Sequence, residues 1–328
     1  MIKRVLNNSF YRRQLLLSSV IGPLQKRIRG ADGVYITDTD WDNLIILDGC
    51  RFDLFNQVRA KLSLDGELTK RQSRGSASPE FLKANFDDRS LTDTVYVTAN
   101  PFEKWVLDEP FLYTDRVWTD GWDETEETVL PETLADRTRT VHDEYPNKRL
   151  IAHFMQPHVP FVGETRVNVH SDNMEEFRNM MLGSDGDGEF SLPVWEALST
   201  GQLETELVWE AYRDNLLCVL ETALPLAEDL PGKTVITADH GNSFGEWATP
   251  FPIPVYFHPR NVRIPSLIEV PWFIPPYEER KSIIRSDENI TTAPQSPADT
   301  TSKPTEDTAQ TADESVVEDR LSALGYTE

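Results

Sequence analysis

Cysteine is nearly absent from this chain. Cys50 and Cys218 are the only two in 328 residues, too few for a disulfide framework. Lysine is scarce: it supplies 10 of the 32 basic residues, against 55 acidic ones, and the net charge is −23. So acidic a chain repels polyanions, which excludes nucleic acid as a partner. An acidic, Lys-poor surface is also how proteins of salt-loving archaea stay hydrated in brine, and a halophilic source is the expectation. Long apolar runs are missing too. The stretch Leu15 to Leu24 is broken by Ser18, Ser19, Gly22 and Pro23 and is too short to span a bilayer. No small-residue cleavage site follows a long apolar core. These absences lead to the expectation of a cytoplasmic protein, either free or at the inner face of the membrane.

Acid is what the first thirty residues lack. They carry seven basic residues, Lys3, Arg4, Arg12, Arg13, Lys26, Arg27 and Arg29, and no Asp or Glu. Two readings stand: an amphipathic segment resting on an anionic membrane surface or acidic partner, or a helix folded onto the acidic body of its own domain. From Ser286 the chain turns polar, with no aromatic before Tyr326. Residues 286–315 read as a disordered acidic linker and 316–328 as a short helix, spaced by Val317, Leu321 and Leu324.

Residues 31–285 alternate strand and helix signals, the pattern of an α/β domain. Apolar strands are expected at Leu44 to Leu47, Thr94 to Thr98, Leu150 to Phe154, Val235 to Thr237 and Ser266 to Val270. Helices are expected at Phe52 to Leu62 and Glu204 to Leu224, the second as scaffold. Val117 to Glu132 reads as a surface excursion whose Trp118 and Trp122 either cover a substrate or pack the loop. The loop GSDGDG at 183–188 lacks the Glu and spacing of an EF-hand and reads as flexible. Cys218, among Leu216, Leu217, Val219 and Leu220, reads as a small buried apolar residue.

Two of the strands end alike. NLIILDGCRFD, residues 43–53, stops at Asp48 and Gly49, and TVITADHGNSFGE, residues 234–246, stops at Asp239, His240 and Gly241. Parallel strands place ligand-binding residues at their carboxyl ends. Carboxylates and a neutral imidazole converging there would suit a divalent cation.

With HFMQPHVPF, residues 153–161, between them, these motifs resemble the alkaline phosphatase and sulfatase superfamily. The resemblance runs from about Trp41 to about Trp272. It implies a three-layer αβα sandwich with a mostly parallel central sheet. It also implies a metal-dependent hydrolase or transferase, sulfatase-like, acting on a phosphate or sulfate ester through a serine. One divalent cation, manganese, zinc, magnesium or calcium, would be held by Asp48, Asp239 and His240 beside the nucleophile. That nucleophile would lie in SRGSASPEFLKANF, residues 73–86, on a loop entering a helix whose N-terminus offers N–H donors to an anion. Ser76, after Gly75, is the choice, as nucleophile and metal neighbour. Ser78, the second candidate, precedes Pro79 and Glu80 and also reads as an N-cap with Pro at the first helical position.

The resemblance further makes His158 a substrate contact or leaving-group acid, and His258 a contact to the transferred anion or to a second ion. Arg74 reads as an anion contact or, equally, as a solvated basic residue. His153 is equally a hydrogen-bonded core residue. Two departures narrow the reading. Cys50 is followed by Arg51, Phe52, Asp53 and Leu54 rather than the C-x-P-x-R of formylglycine sulfatases, which favours phosphate over sulfate. Phe154 stands where two-metal relatives place an Asp, which favours one ion. A catalytically silent metal- or anion-binding protein on the same fold is the alternative.

Overall fold

The computed structural model describes residues 8–30, 33–167, 178, 179, 182 and 192–285. The expected loop at 183–188, linker at 286–315 and terminal helix at 316–328 lie outside the described residues. The strands are β1 (Asn43–Leu47), β2 (Glu67–Gln72), β3 (Leu91–Thr98), β4 (Phe111–Arg116), β5 (Trp122–Asp123), β6 (Thr128–Val129), β7 (Arg149–Phe154), β8 (Thr234–Thr237), β9 (Ser243–Trp247), β10 (Pro254–Phe257) and β11 (Glu269–Ile274). Seven of them form one sheet in the order β2-β11-β8-β1-β7-β3-β4. From β8 to β4 the pairs are parallel, and β11 runs antiparallel to β8 and to β2.

Central β1 sets the layering. It is buried along its whole length, as a strand covered on both faces must be. Successive side chains point to opposite faces. Ile45 and Leu47 pack with Phe55, Leu134 and Leu216, from helices Phe52–Leu62, Pro131–Glu144 and Thr205–Asp229. Leu44 and Ile46 pack with Phe81, Leu82 and Phe86, from helix Ser78–Phe86. Two cores on two faces of one mostly parallel sheet make the three-layer αβα sandwich expected from the sequence.

Several expectations need adjustment. The last strand is Glu269–Ile274, because Pro265 opens a helical turn over Pro265–Ile268. The long helix runs on to Asp229 through Pro225. Trp118 covers no substrate: it is wholly buried in the main core. Strand β2 gave no apolar signal because it is a polar edge strand, mostly exposed. Residues Ser9–Leu16, Leu17–Ile21 and Gly22–Arg29 run as consecutive helical segments, the middle one a π turn. They sit on the domain through Leu17 and Ile21, which pack with Val255, Val262 and Leu267.

Candidate metal centre and nucleophile

Asp48 follows β1 directly, and Asp239 and His240 follow β8, its parallel neighbour. Adjacent strands in register therefore deliver three ligand-bearing side chains to one point. All three are buried, and one ligand atom from each lies within 4.8 Å of the others. Gly49 turns the chain there with a positive φ of 68°, a backbone that side-chain-bearing residues resist. The turn lets the Gly49 N–H donate to Asp239 Oδ1 at 3.0 Å, beside the His240 N–H at 2.8 Å. Tyr212 braces the same turn from the long helix, accepting the Arg51 N–H at 3.1 Å and donating to the Gly49 carbonyl oxygen.

The remaining donor atoms face one another. His240 Nδ1–H donates to the Gly241 carbonyl at 2.8 Å, which leaves a lone pair on Nε2. That nitrogen lies 3.3 Å from Asp239 Oδ2 and 3.6 Å from Asp48 Oδ1. Both oxygens are buried without a hydrogen-bond partner. Acceptors converging in this way repel unless a cation or proton lies among them. Oxygen and imidazole donors suit a divalent ion. Burial, and then the charge of Asp239, push the Asp48 carboxyl well above the usual carboxylate range. Burial works in the same direction on Asp239, but His240, His153 and the Gly49 N–H outweigh it and hold that carboxyl low.

Ser78, not Ser76, stands against this group. Ser78 Oγ is 3.3 Å from Asp48 Oδ2 and 3.3 Å from His240 Nε2. The Ser76 hydroxyl donates instead to Glu80 Oε2 or the Pro259 carbonyl, each at 3.0 Å, and its N–H donates to Glu80 Oε2 at 2.9 Å. The expectation for Ser76 is thus corrected: Glu80, in the first turn of the helix, draws it into a bracing network. Ser78 is not the N-cap either. Ala77 occupies that position and Ser78 is the first helical residue, so its hydroxyl is free to face the carboxylates. Arg74 is likewise corrected. Its guanidinium lies 3.6 Å over the Tyr35 ring and donates to the Gly33 carbonyl at 3.2 Å.

His158 and His258 do meet at the centre. Their Nε2 atoms are 2.9 Å apart, and the His258 ring lies 4.2 Å from that of His240. His158 Nδ1–H donates to the Val159 carbonyl at 2.8 Å, so the proton between the two rings belongs to His258 Nε2. Burial brings His158 down to about 4, and His258 falls well below its ordinary value through burial and the neighbouring imidazoles. His153 is brought to about 4 by burial. It is the hydrogen-bonded core residue of the sequence reading: its Nδ1 pairs with the Tyr96 hydroxyl at 2.7 Å, while its Nε2 stands 3.9 Å from Asp239 Oδ2, beyond hydrogen-bond reach. Cys50 is buried, and burial raises its thiol well above the usual range.

Two residues escaped the sequence reading. Asn100, past the end of β3, donates to Asp48 Oδ2 at 2.8 Å. It ends an apolar strand as Asp48 and Asp239 do, and that signal could have found it. Asn242 is wholly buried, and neither its amide oxygen nor its nitrogen has a hydrogen-bond partner. A Cβ built on Gly49 would stand 3.6 Å from Asn242 Nδ2, from His158 and from His240 alike. The unpartnered amide therefore lines the same small space as the imidazoles.

Fold and site together define an α/β sandwich with a buried Asp, Asp and His group able to hold a cation at the carboxyl ends of its parallel strands. No family profile matches the chain, and no curated protein matches it. Solved structures do. The C-terminal periplasmic domain of phosphoethanolamine transferase EptC from Campylobacter jejuni is 16% identical over 71% of this chain and 77% of that one, with a TM-score of 0.45. The integral membrane protein lipooligosaccharide phosphoethanolamine transferase A from Neisseria meningitidis is 13% identical over 73% of this chain, with a TM-score of 0.44. The present chain spans 47%, about half, of that protein. The C-terminal periplasmic domain of EptC from Escherichia coli, in complex with Zn, is 13% identical over 74% of this chain and 76% of that one, with a TM-score of 0.40. The expectation of a cytoplasmic location is withdrawn, since these proteins are described as periplasmic domains and an integral membrane protein. Among the described residues no helix is long and apolar enough to cross a membrane.

Proposed function

We propose that the protein is a metal-dependent phosphate-ester transferase or hydrolase of the alkaline phosphatase and sulfatase superfamily, with Ser78 as its nucleophile. The observation that carries this reading is the position of Ser78 Oγ, 3.3 Å from both Asp48 Oδ2 and His240 Nε2, at the start of a nine-residue helix. Asp48, Asp239 and His240 would hold one divalent cation. When bound, that cation would lower the pKa of the adjacent hydroxyl and offset phosphoryl charge. A serine hydroxyl is a weak nucleophile without such help.

Ser78 Oγ forms the new bond to phosphorus as the bond to the leaving oxygen breaks in line with it. The hydroxyl proton has Asp48 Oδ2 as its acceptor, and Asn100 holds that oxygen in place from the other side. His258 Nε2–H donates a hydrogen bond to the leaving oxygen, which departs as the oxyanion and takes its proton from solvent. Water or an acceptor hydroxyl then forms the new bond to phosphorus from the vacated side, losing its proton to solvent as the bond from phosphorus to Ser78 Oγ breaks. Ser78 Oγ takes back the proton held on Asp48 Oδ2. Asn242 is the group placed to orient the anion.

The test is turnover of aryl phosphate monoesters and diesters and aryl sulfates with manganese, zinc, magnesium or calcium, at low and high salt. Ser78→Ala should lower turnover at least about a hundredfold, while Ser76→Ala should act mainly on stability, by about 1 kcal/mol. Mass spectrometry of a quenched reaction should find the phosphoryl group on the peptide containing Ser78. Full activity in Ser78→Ala would refute the assignment. A wild type that binds metal and phosphate but turns over no ester would instead be the silent binding protein.

A further inference from the structure

The helical segments from Ser9 to Arg29 are apolar on two sides, one buried through Phe10, Tyr11, Leu17 and Ile21 and one exposed. The face turned to the domain carries Gln14, Ser18 and Gln25 among its apolar residues. Gln14 donates to the Tyr256 carbonyl at 3.0 Å, Ser18 Oγ to the Gln14 carbonyl at 2.9 Å, and Gln25 to the Thr249 carbonyl at 2.8 Å. The face turned to solvent is apolar as well. Leu15, Leu16, Val20, Leu24 and Ile28 are 44, 42, 53, 40 and 60% exposed. Four of them recur every fourth residue, so they form a single stripe along the helix. Exposed Arg12 and Arg27 stand toward its two ends. Five of the large hydrophobic side chains exposed among the described residues therefore fall within 14 residues of sequence. Such a concentration marks a contact surface.

Charge complementarity identifies the occupant. The chain as a whole carries −23, yet residues 8–30 contain five basic residues and no acidic one. An apolar stripe bracketed by arginines on an otherwise acidic protein fits an anionic lipid surface, with the leucines below the headgroups and the guanidinium groups among the phosphates. We infer that this helix docks the protein on the surface of an anionic bilayer, lying along it rather than crossing it.

The mounting is rigid and leads to the active centre. Asn261 Nδ2 donates to the Ser18 carbonyl at 3.2 Å, and Lys26 Nζ donates to Asn261 Oδ1 at 2.7 Å and pairs with Glu80. A Cβ on Gly22 would lie 2.6 Å from the Asn261 backbone, so the helix seats directly on the loop that follows His258. A bilayer against the outer face would thus lie about one helix diameter, roughly 10 Å, from that loop. The docking itself is independent of the chemistry assigned to Ser78, and its test reads binding rather than turnover.

The experiment is cosedimentation of the full chain with vesicles of phosphatidylcholine alone or with phosphatidylglycerol added, across a salt series. Wild type should bind the anionic vesicles, and more weakly as salt rises. The combined Leu16→Gln, Val20→Gln and Leu24→Gln variant should bind at least about tenfold more weakly with little change in melting temperature, because these side chains are 42, 53 and 40% exposed. Ile28→Gln, at the most exposed position, repeats the test with one change. Arg12→Gln with Arg27→Gln should weaken anionic binding and flatten its salt dependence. Failure of wild type to bind either vesicle, or equal binding by the Gln variants, overturns the inference. So does a dimer in sedimentation velocity that the Gln variants dissolve and vesicles do not, which would assign the stripe to a second copy of the chain.

Discussion

Asn215, midway along the longest helix, donates its side-chain amide to the carbonyl oxygen of His158 at 2.9 Å. The same amide reaches the carbonyls of Pro157 and Pro160, and its oxygen accepts the Val162 N–H at 2.9 Å. One buried side chain thus holds the whole turn that presents the His158 imidazole. Asn215→Leu should cost about 2 to 3 kcal/mol of stability, since it strands several buried backbone groups, and should lower turnover more than it raises KM. Thermal unfolding and steady-state kinetics check both.

Metal content should follow the carboxylates. Purified protein should carry about one divalent ion per chain, and Asp48→Asn or Asp239→Asn should reduce that to a small fraction. Elemental analysis of the three proteins decides it. A chelator should lower the melting temperature of wild type and leave Asp239→Asn unmoved, because only the former has a bound ion to lose.

Asn242 should separate stability from activity. Its buried amide lacks partners, so Asn242→Leu should unfold at the same temperature as wild type or higher without ligand. Its turnover of a phosphate ester should fall about tenfold or more, with weaker inhibition by inorganic phosphate. A loss of stability with unaltered turnover would show the amide to be purely structural.

Lys281 gives a pH signature away from the Asp48, Asp239 and His240 group. It donates to Asn43 Oδ1 at 2.7 Å and to the Lys148 carbonyl at 3.2 Å. Burial lowers it from 10.5 to about 8, against the pull of Asp42. Between those values the unfolded chain keeps a proton that the folded one has lost. Stability therefore rises with pH across this window, and the penalty for charging the buried amine is fully present below about pH 8. Melting temperatures of wild type and Lys281→Met, compared at about pH 7 and about pH 10, should show wild type gaining on the variant.

The central sheet was legible in the sequence because β1, β7 and β8 are apolar runs with abrupt polar ends. Asp48, Asp239 and His240 were legible for the same reason, being the first polar residues past those ends. Ser78 was harder. A serine before Pro and Glu looks like a cap, and only the packed loop reveals that Ala77 takes that place while Glu80 draws Ser76 aside. Glu80, four residues beyond Ser76, was the available sign. Strand β2 left no trace because its partners lie on one side only, so its residues obey solvent rather than a core. The first thirty residues announced their charge, but which face of the helix the domain would cover depends on tertiary packing.

Strand β2 also governs how the molecule meets its own copies. It closes one end of the sheet, and the outer row of its backbone N–H and C=O groups is a template on which another chain could add. Lys70, Arg71 and Gln72 are exposed along it; Lys70 pairs with Glu269 at 2.8 Å and Arg71 lies over the Trp272 ring. An incoming strand would have to dehydrate those cations without supplying their counter-charges, so the sheet ends there by electrostatic exclusion rather than by cover. The resistance of this edge to strand addition thus rests on a few side chains that contribute little to the fold itself.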